Sequence, residues 1–438
     1  MAVFLAKGAR DFLPAQMRGR LKVIETLRRV FSLHGFAPLE TPAFERIETL
    51  SGKAGENEKL MYRILKRGEG GKQGQCDLAL RYDLTVPLAR VLAMHPELRM
   101  PFKRYQIQPV WRADRPQKGR FREFWQCAVD IAGSNSPLAE AECLTVIAAA
   151  LRELGFANYT IRINDRRILH SIAKSIGAAD QEVAFLVALD KLDKIGRDGV
   201  SAELTKKGFA PSVASSLWSL LDLPTGNDAA ITAINEVLDE DGLQGTRSIT
   251  ALIAAAEALG VAPKHLCFDP TLARGLDYYT GPVFEAVVEE PKIGSIAGGG
   301  RYDQLVGMFS GRDVPAVGAS LGLERILVVM EELGMLQTDS SKTQVFITRF
   351  SQDTLGQSLE AARRLREQGI SCDLYTGDSR LKSQFKYANA GGYTWLIVIG
   401  PDEAEAGTLN LKNLQSGNQS TLSLDQAVGA IKDSMPPG

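Results

Sequence analysis

Histidine and cysteine are scarce in this chain, and neither is grouped. The four histidines, His34, His95, His170 and His265, stand far apart, which argues against a metal site built on them. The five cysteines, Cys76, Cys127, Cys143, Cys267 and Cys372, are odd in number and never spaced as CxxC. That pattern argues against a disulfide framework and a structural zinc, and it suits a reducing, cytoplasmic setting. Net charge is almost absent too: a formal −1 over 438 residues leaves no bulk field to draw the protein to nucleic acid, so polyanion contact must come from local patches. No apolar run approaches a membrane span, and the opening MAVFLAKGARDFLP reaches charge and proline too soon for a signal peptide. What is present, 45% hydrophobic and 24% charged residues, is the texture of a globular chain long enough for two or three cores.

The densest local charge lies in QPVWRADRPQKGRFREFWQCAVDIAG, from Gln108 to Gly133. Arg112, Arg115, Arg120 and Arg122, with Lys118 among them, sit between two segments that alternate like strands, in a span too rich in turn formers for a helix. Arginine grips phosphate or carboxylate oxygens two at a time and keeps its charge at any ordinary pH, so the loop suits a polyanion. Phe121, Phe124 and Trp125 interleave with the cations and suggest a base stacked beside its own phosphates. A solvated basic hairpin with packed aromatics explains the same residues.

Around this loop the chain divides by texture. A helix is expected from Pro14 to Leu33, with Met17, Leu21, Ile24, Leu27 and Phe31 on one face and Gly35 as its stop. Pro38 and Pro42 flank a short extended segment that suits a sheet edge or an interface, although a plain proline turn is the simpler reading. Leu78 to Arg90 looks like a strand entering a helix, with Asp83 and Thr85 at the junction, where they can hold an ammonium group or cap the helix. Gln126 and Asp130 lie four apart in an alternating stretch and so share a strand face with Ala128. A helix follows from Ser136 and Pro137 to Gly155, then a strand from Tyr159 to Ile163.

Residues 165–246 turn to helical periodicity, as in Leu186, Leu189, Leu192 and Ile195, and read as an inserted helical domain. Cys267 to Glu290 reads as a hairpin whose turn carries Arg274, Asp277, Tyr278 and Tyr279. Gly298, Gly299 and Gly300 read as a turn before Arg301 and Tyr302, with neither dinucleotide nor P-loop spacing. GASLGLERILVVM enters a helix with Gly322 at its start and Arg325 in its first turn. Beyond a polar linker, Val345–Phe350, Leu355–Gln368, Cys372–Tyr375, Leu381–Ala388 and Trp395–Ile399 form a βαβαβ unit. Arg380, Lys382, Phe385, Lys386 and Tyr387 give that unit a basic, aromatic edge suited to single-stranded bases or, equally, to a solvated helix face.

Taken together, RxD and RFREF in the arginine loop, RGLDYYTG, AGGGRYD and GLER resemble the class II aminoacyl-tRNA synthetases, and the RGLDYY and GGRYD pair resembles the histidyl-tRNA synthetase family. The resemblance implies an α+β fold: a six-stranded antiparallel sheet flanked by helices, with a helical insertion and a C-terminal α/β anticodon-binding domain. The domains would be residues 1–164 and 247–335 for catalysis, 165–246 for the insertion and 343–434 for the anticodon. It implies activation of L-histidine with ATP and Mg²⁺ to histidyl-adenylate, transfer to tRNA(His), a homodimer formed around Pro42, a cytoplasmic location and no membrane.

Carried onto this sequence, Arg112 would bind the α-phosphate and the carboxylate, with Arg274 approaching from the other side; these are the two catalytic candidates. Asp114 belongs to the same RxD motif at the ATP site, Arg120 and Arg325 would meet the outer phosphates, and Phe124 would lie under adenine. Asp83, Thr85 and Gln126 would hold the α-ammonium, and Asp130, Tyr278, Tyr279 and Tyr302 would form or line the imidazole pocket. Ala128 departs from the family, whose members often carry an acid there. The alternative from another class is a catalytically silent, histidine-binding regulatory subunit of histidine biosynthesis; such relatives typically lack the C-terminal domain and lose ATP-site arginines, which this chain keeps.

Overall fold

Alternation of polar and apolar residues turns the two segments flanking the arginine loop into strands with two distinct faces. In the computed structural model, which describes residues 3–51, 59–273, 278–291, 293–336 and 344–435, these are Phe102–Trp111 and Glu123–Ala132, antiparallel partners at the heart of one sheet. The chain divides into two units, Met1–Asp11 with Arg20–Leu336, and Phe12–Gly19 with Gln337–Gly438.

In the first unit the strands are β1 (Ala37–Pro38), β2 (Phe44–Arg46), β3 (Arg63–Leu65), β4 (Cys76–Leu80), β5 (Phe102–Trp111), β6 (Glu123–Ala132), β7 (Tyr159–Asp165), β8 (Leu266–Phe268), β9 (Pro282–Val288), β10 (Ser295–Arg301) and β11 (Ala316–Gly322). The main sheet has eight strands in the order β1-β5-β6-β11-β10-β9-β7-β8. Its six central strands are antiparallel, and β1 and β8 add a short parallel strand at either edge. The expected antiparallel sheet is therefore present and wider than expected. Strands β2, β4 and β3 form a separate three-stranded sheet.

One face of the main sheet packs on helices. Cys127, Val129 and Ile131 of β6 join Leu144, Ile147 and Leu151 of the helix Leu138–Glu153 in one apolar core. Fully burying each large aliphatic side chain contributes about 1.5–3 kcal/mol. The other face carries Gln126, Ala128 and Asp130 and is left for chemistry.

Several expectations are corrected. The N-terminal helix Pro14–Leu33 buries Val23, Ile24, Leu27, Val30 and Phe31, whereas Leu21 is 44% exposed and Arg20 takes the inward position beside it. Pro38 is not in a plain turn: it pairs with Tyr105 in an edge strand, where a missing N–H costs little. Cys267–Glu290 is not a hairpin, because β7 lies between β8 and β9 and pairs with both. Gly298, Gly299 and Gly300 do not form a turn; they lie inside the central strand β10. Residues 165–246 are helical, but their Ile168, Leu169 and Ile172 share the core of the sheet, and position 246 falls within the helix Glu240–Ala258.

The second unit holds β12 (Val345–Ile347), β13 (Cys372–Leu374), β14 (Trp395–Val398), β15 (Leu409–Asn413) and β16 (Gln419–Leu422) in the order β13-β12-β14-β15-β16. The first three are parallel, as the βαβαβ pattern requires, and an antiparallel pair extends them. The helix Leu424–Asp433 closes the unit. It begins with a reciprocal cap in which the Ser423 hydroxyl accepts from the Gln426 amide and the Gln426 side chain accepts from the Ser423 amide.

Candidate active site

The register of the central strands places three rows of side chains across the open face. Asp130 lies between Arg104 of β5 and Gly318 of β11, and Gly318 faces Gly300 of β10. Two residues along, Gln106, Ala128, Ser320 and Gly298 form a second row. Gln108, Gln126 and Gly322 begin a third.

The first row is a buried polar cluster. Arg104 Nη2 lies 2.8 Å from Asp130 Oδ2, and both side chains are almost wholly buried. The hydroxyl of Tyr302 donates to Asp130 Oδ1. Burial pushes the Asp130 carboxyl above the usual carboxylate range, while Arg104 and the Tyr302 hydroxyl pull against it. A Cβ on Gly318 would come within 1.9 Å of Asp130 Oδ1, so the glycine makes the space that the carboxylate fills. Arg104 also donates to Gln106 Oε1 at 3.1 Å and to the Leu84 carbonyl at 3.0 Å, and Gln106 Nε2 donates to Thr41 Oγ1 at 2.8 Å. Sequence reasoning missed Arg104. Its signal is the run Arg104, Gln106, Gln108, a polar stripe on alternate residues of a strand otherwise fit for a core.

The tyrosines close the same space. Tyr278 packs edge-on against Tyr279 and Tyr302, with ring centroids 5.0 and 5.8 Å away. Its hydroxyl donates to Asp83 Oδ2 at 3.2 Å. Asp83 is buried, its other oxygen accepts from the Val86 amide at 3.1 Å, and burial raises its carboxyl above the usual range. It thus caps the start of the helix Thr85–Met94 and supports Tyr278 at once. Thr85, Gln126, Asp130, Tyr278, Tyr279 and Tyr302 line one cavity of about 630 Å³, of which Asp83 is not a lining residue.

That cavity opens into a second of about 190 Å³. Arg112, Asp114, Arg120, Gln126 and Arg325 line both, and Phe124 lines the second. Arg112 Nε donates to the Tyr82 carbonyl at 2.9 Å, and its guanidinium lies 5.3 Å from the Phe124 ring centroid. Arg325 comes from the helix Leu323–Glu332 and donates to the Ser295 carbonyl at 2.5 Å. Asp114 stays 3.8 Å from Arg120. Arg122 serves structure instead, donating to the carbonyls of Asp114 and Lys7. Arg115 is exposed and lines neither cavity, and Lys118 pairs with Glu332. Of the loop's cations the fold therefore brings Arg112 and Arg120 to the cavities. Arg274 lies outside the described residues, as does Asp277.

Glu324, beside Arg325, is buried and joins three elements. It pairs with Arg20 of the N-terminal helix at 2.8 Å and accepts from the Trp125 amide of β6 at 2.7 Å. It fixes the helix that presents Arg325.

The three glycines of β10 differ in what they allow. A Cβ on Gly299 would stand 2.1 Å from the Gly318 carbonyl oxygen, a backbone atom that cannot move aside. A Cβ on Gly298 would meet only the Phe284 carbonyl oxygen, at 3.6 Å. Gly299→Ala is expected to part β10 from β11 and destabilise by about 3 kcal/mol or more, whereas Gly298→Ala keeps its thermal midpoint and loses ATP affinity by filling the cavity. Thermal melts with ATP titration check the contrast, and equal melting losses would contradict it.

Comparison with known proteins identifies the family. The family model described as Histidyl-tRNA synthetase matches residues 8–326, and one described as Anticodon binding domain matches residues 344–434. The chain belongs to the histidyl-tRNA synthetase family. It is 41% identical over 444 residues to a histidine–tRNA ligase of Cytophaga hutchinsonii, covering 97% of this chain and 98% of that one. It superimposes on the histidyl-tRNA synthetase of Nostoc sp. PCC 7120 with a TM-score of 0.82 at 32% identity, over 99% of this chain and all of that one. A Bacillus halodurans structure described as an ATP phosphoribosyltransferase regulatory subunit/histidyl-tRNA synthetase shares the fold, with a TM-score of 0.74 at 24% identity over 87% of this chain and 96% of that one. Fold alone therefore does not separate synthetase from regulator. Similarity to ligases along the whole chain, anticodon-binding domain included, does not favour the regulatory alternative.

Proposed function

We infer that this chain is a histidine–tRNA ligase: it activates L-histidine with ATP to histidyl-adenylate, releasing pyrophosphate, and passes the histidyl group to the 3′-terminal adenosine of tRNA(His). The observation that carries the reading is the junction of two cavities, one floored by the Asp130–Tyr302 pair and the other rimmed by Arg112, Arg120 and Arg325.

The first step brings a carboxylate to a phosphate, two anions, so rate must come from positioning and from cations fixed where charge builds up. Arg112 lines both cavities and is the group for the α-phosphate and the substrate carboxylate; Arg274, outside the described residues, is assigned to the α-phosphate with it on its RGLDYY motif alone. Arg120 and Arg325 meet the outer phosphates, and Phe124 stacks under adenine with Asp114 nearby. No general base is needed, because the nucleophile is already a carboxylate. Mg²⁺ accompanies ATP; the Asp114 carboxylate, held loosely by Arg120, is an oxygen donor that fits it beside the phosphates. When bound, the ion neutralises charge on the leaving pyrophosphate.

Imidazole is recognised by bonds at both ring nitrogens. Asp130 accepts from one, and the tyrosine hydroxyls around it serve the other. Gln126, whose Oε1 is buried without a hydrogen-bond partner among the described residues, and Thr85 accept from the α-ammonium, and Asp83 acts with them through Tyr278. Residues 1–164 and 247–335 carry the catalytic role, 165–246 the helical insertion, whose last helix runs on to Ala258, and 343–434 the anticodon reader. The chain works as a homodimer through the segment around Pro42. The buried Arg81 braces that segment by donating to the carbonyls of Thr41 and Pro42. No described helix is long and apolar enough to cross a membrane, and protein synthesis places the enzyme in the cytoplasm. The test is charging of a tRNA(His) transcript: labelled histidine becomes acid-precipitable with ATP, and none does when tRNA(Phe) replaces it. Equal charging of both would contradict the assignment.

A further inference from the structure

The Ser320 hydroxyl has no place in the reading above, yet it stands at its centre. Ser320 lies on β11 and, with Gln126 of β6 and Gly298 of β10, lines both cavities from the floor of the sheet. Its Oγ is buried without a hydrogen-bond partner among the described residues. Its neighbours in register are Ala128 on β6 and Gly298 on β10. Of these three, only Ser320 has a polar side-chain atom. An orphaned hydroxyl on a rigid central strand calls for a partner, because a buried polar group left unpaired costs free energy.

The position fixes what that partner is. Residues facing one side of a strand repeat about every 7 Å, comparable to the span of a histidine from ring to carboxylate. With the imidazole over Asp130, the next row, Ala128, Ser320 and Gly298, lies under the carboxylate, where the nucleotide cavity begins. We propose that Ser320 is a further substrate-positioning residue: its Oγ–H donates to the carboxylate oxygen of histidine that does not attack phosphorus. The proposal rests on the histidine-activating reading and assigns one more contact within it.

In the step itself the other carboxylate oxygen bonds to the α-phosphorus, the bond from that phosphorus to the bridging oxygen breaks, and pyrophosphate leaves with the electron pair. No proton moves. The oxygen held by Ser320 becomes the carbonyl oxygen of the mixed anhydride, still bonded to the same hydroxyl. A neutral donor suits this place. The arginines already supply charge, and a hydroxyl orients the carboxylate with little loss of its nucleophilicity.

The test is histidine-dependent ATP–pyrophosphate exchange with wild type, Ser320→Ala and Ser320→Thr measured side by side. Ser320→Ala is expected to lower kcat/KM for histidine by about tenfold to a hundredfold, the value of one hydrogen bond to a charged acceptor, with the KM for ATP unchanged and the thermal midpoint not lowered. Ser320→Thr keeps the donor, and its neighbour in register, Gly298, has no side chain to compete with the added methyl, so the variant is expected to retain most of the wild-type value. A wild-type kcat/KM for histidine in Ser320→Ala, or equal losses in both variants, would overturn the role. Absence of exchange in the wild type would instead overturn the histidine reading and the Ser320 assignment with it, a pattern distinct from loss in the alanine variant alone.

Discussion

Asp130→Asn is expected to cut kcat/KM for histidine by a factor approaching ~10⁴, because a site built to pair a ring N–H rejects its substrate heavily once the acceptor is wrong. The KM for ATP stays nearly unchanged, since Asp130 lines the larger cavity and not the nucleotide end. The same change leaves Arg104 buried without its counter-charge, which costs about 3–5 kcal/mol in broken buried pairs and lowers the thermal midpoint. Tyr302→Phe separates the two effects. It removes the hydroxyl on Asp130 Oδ1 but keeps the Arg104–Asp130 pair at 2.8 Å, so the histidine requirement rises with a smaller loss of stability. A wild-type KM for histidine in the asparagine variant would remove Asp130 from the pocket.

Arg112→Lys is the second large effect, expected to lower kcat of adenylate formation by ~10³. Lysine keeps the charge but loses the planar fork that can bridge a phosphate and a carboxylate, and it loses the Nε bond to the Tyr82 carbonyl and the face that lies against Phe124. The fold should survive, because Arg112 is half-buried and spans no core. Pre-steady-state formation of histidyl-adenylate, with circular dichroism to confirm folding, measures the loss directly. A rate close to that of the wild type would mean that Arg112 does not meet the reacting groups.

Much of this site is legible in the sequence because its residue types are costly anywhere else. Gln126 and Asp130 on one strand face, two tyrosines beside an arginine, and cations spaced by turn formers all ask for partners that a core cannot give. What the sequence hides is tertiary. The glycines of β10 look like a turn because glycine is common there, and only the close approach of β11 explains Gly299 inside a strand. β8 and β9 look like a hairpin because both alternate and a turn-like stretch joins them, but their real partner, β7, lies more than a hundred residues before β8. Arg104 and Glu324 pass as ordinary charges until burial shows each holding a strand, a helix or a carboxylate in place. Ser320 gives no signal at all, since a serine in a strand is unremarkable until its neighbours on both sides prove to lack polar groups.

The most direct measurement is ATP–pyrophosphate exchange with each of the twenty amino acids in turn. Exchange with histidine and with no other amino acid is the predicted result, joining adenylate formation at the arginine-rimmed cavity to selection over Asp130 and Tyr302. Histidine binding without exchange, or exchange driven by a different amino acid, would contradict it.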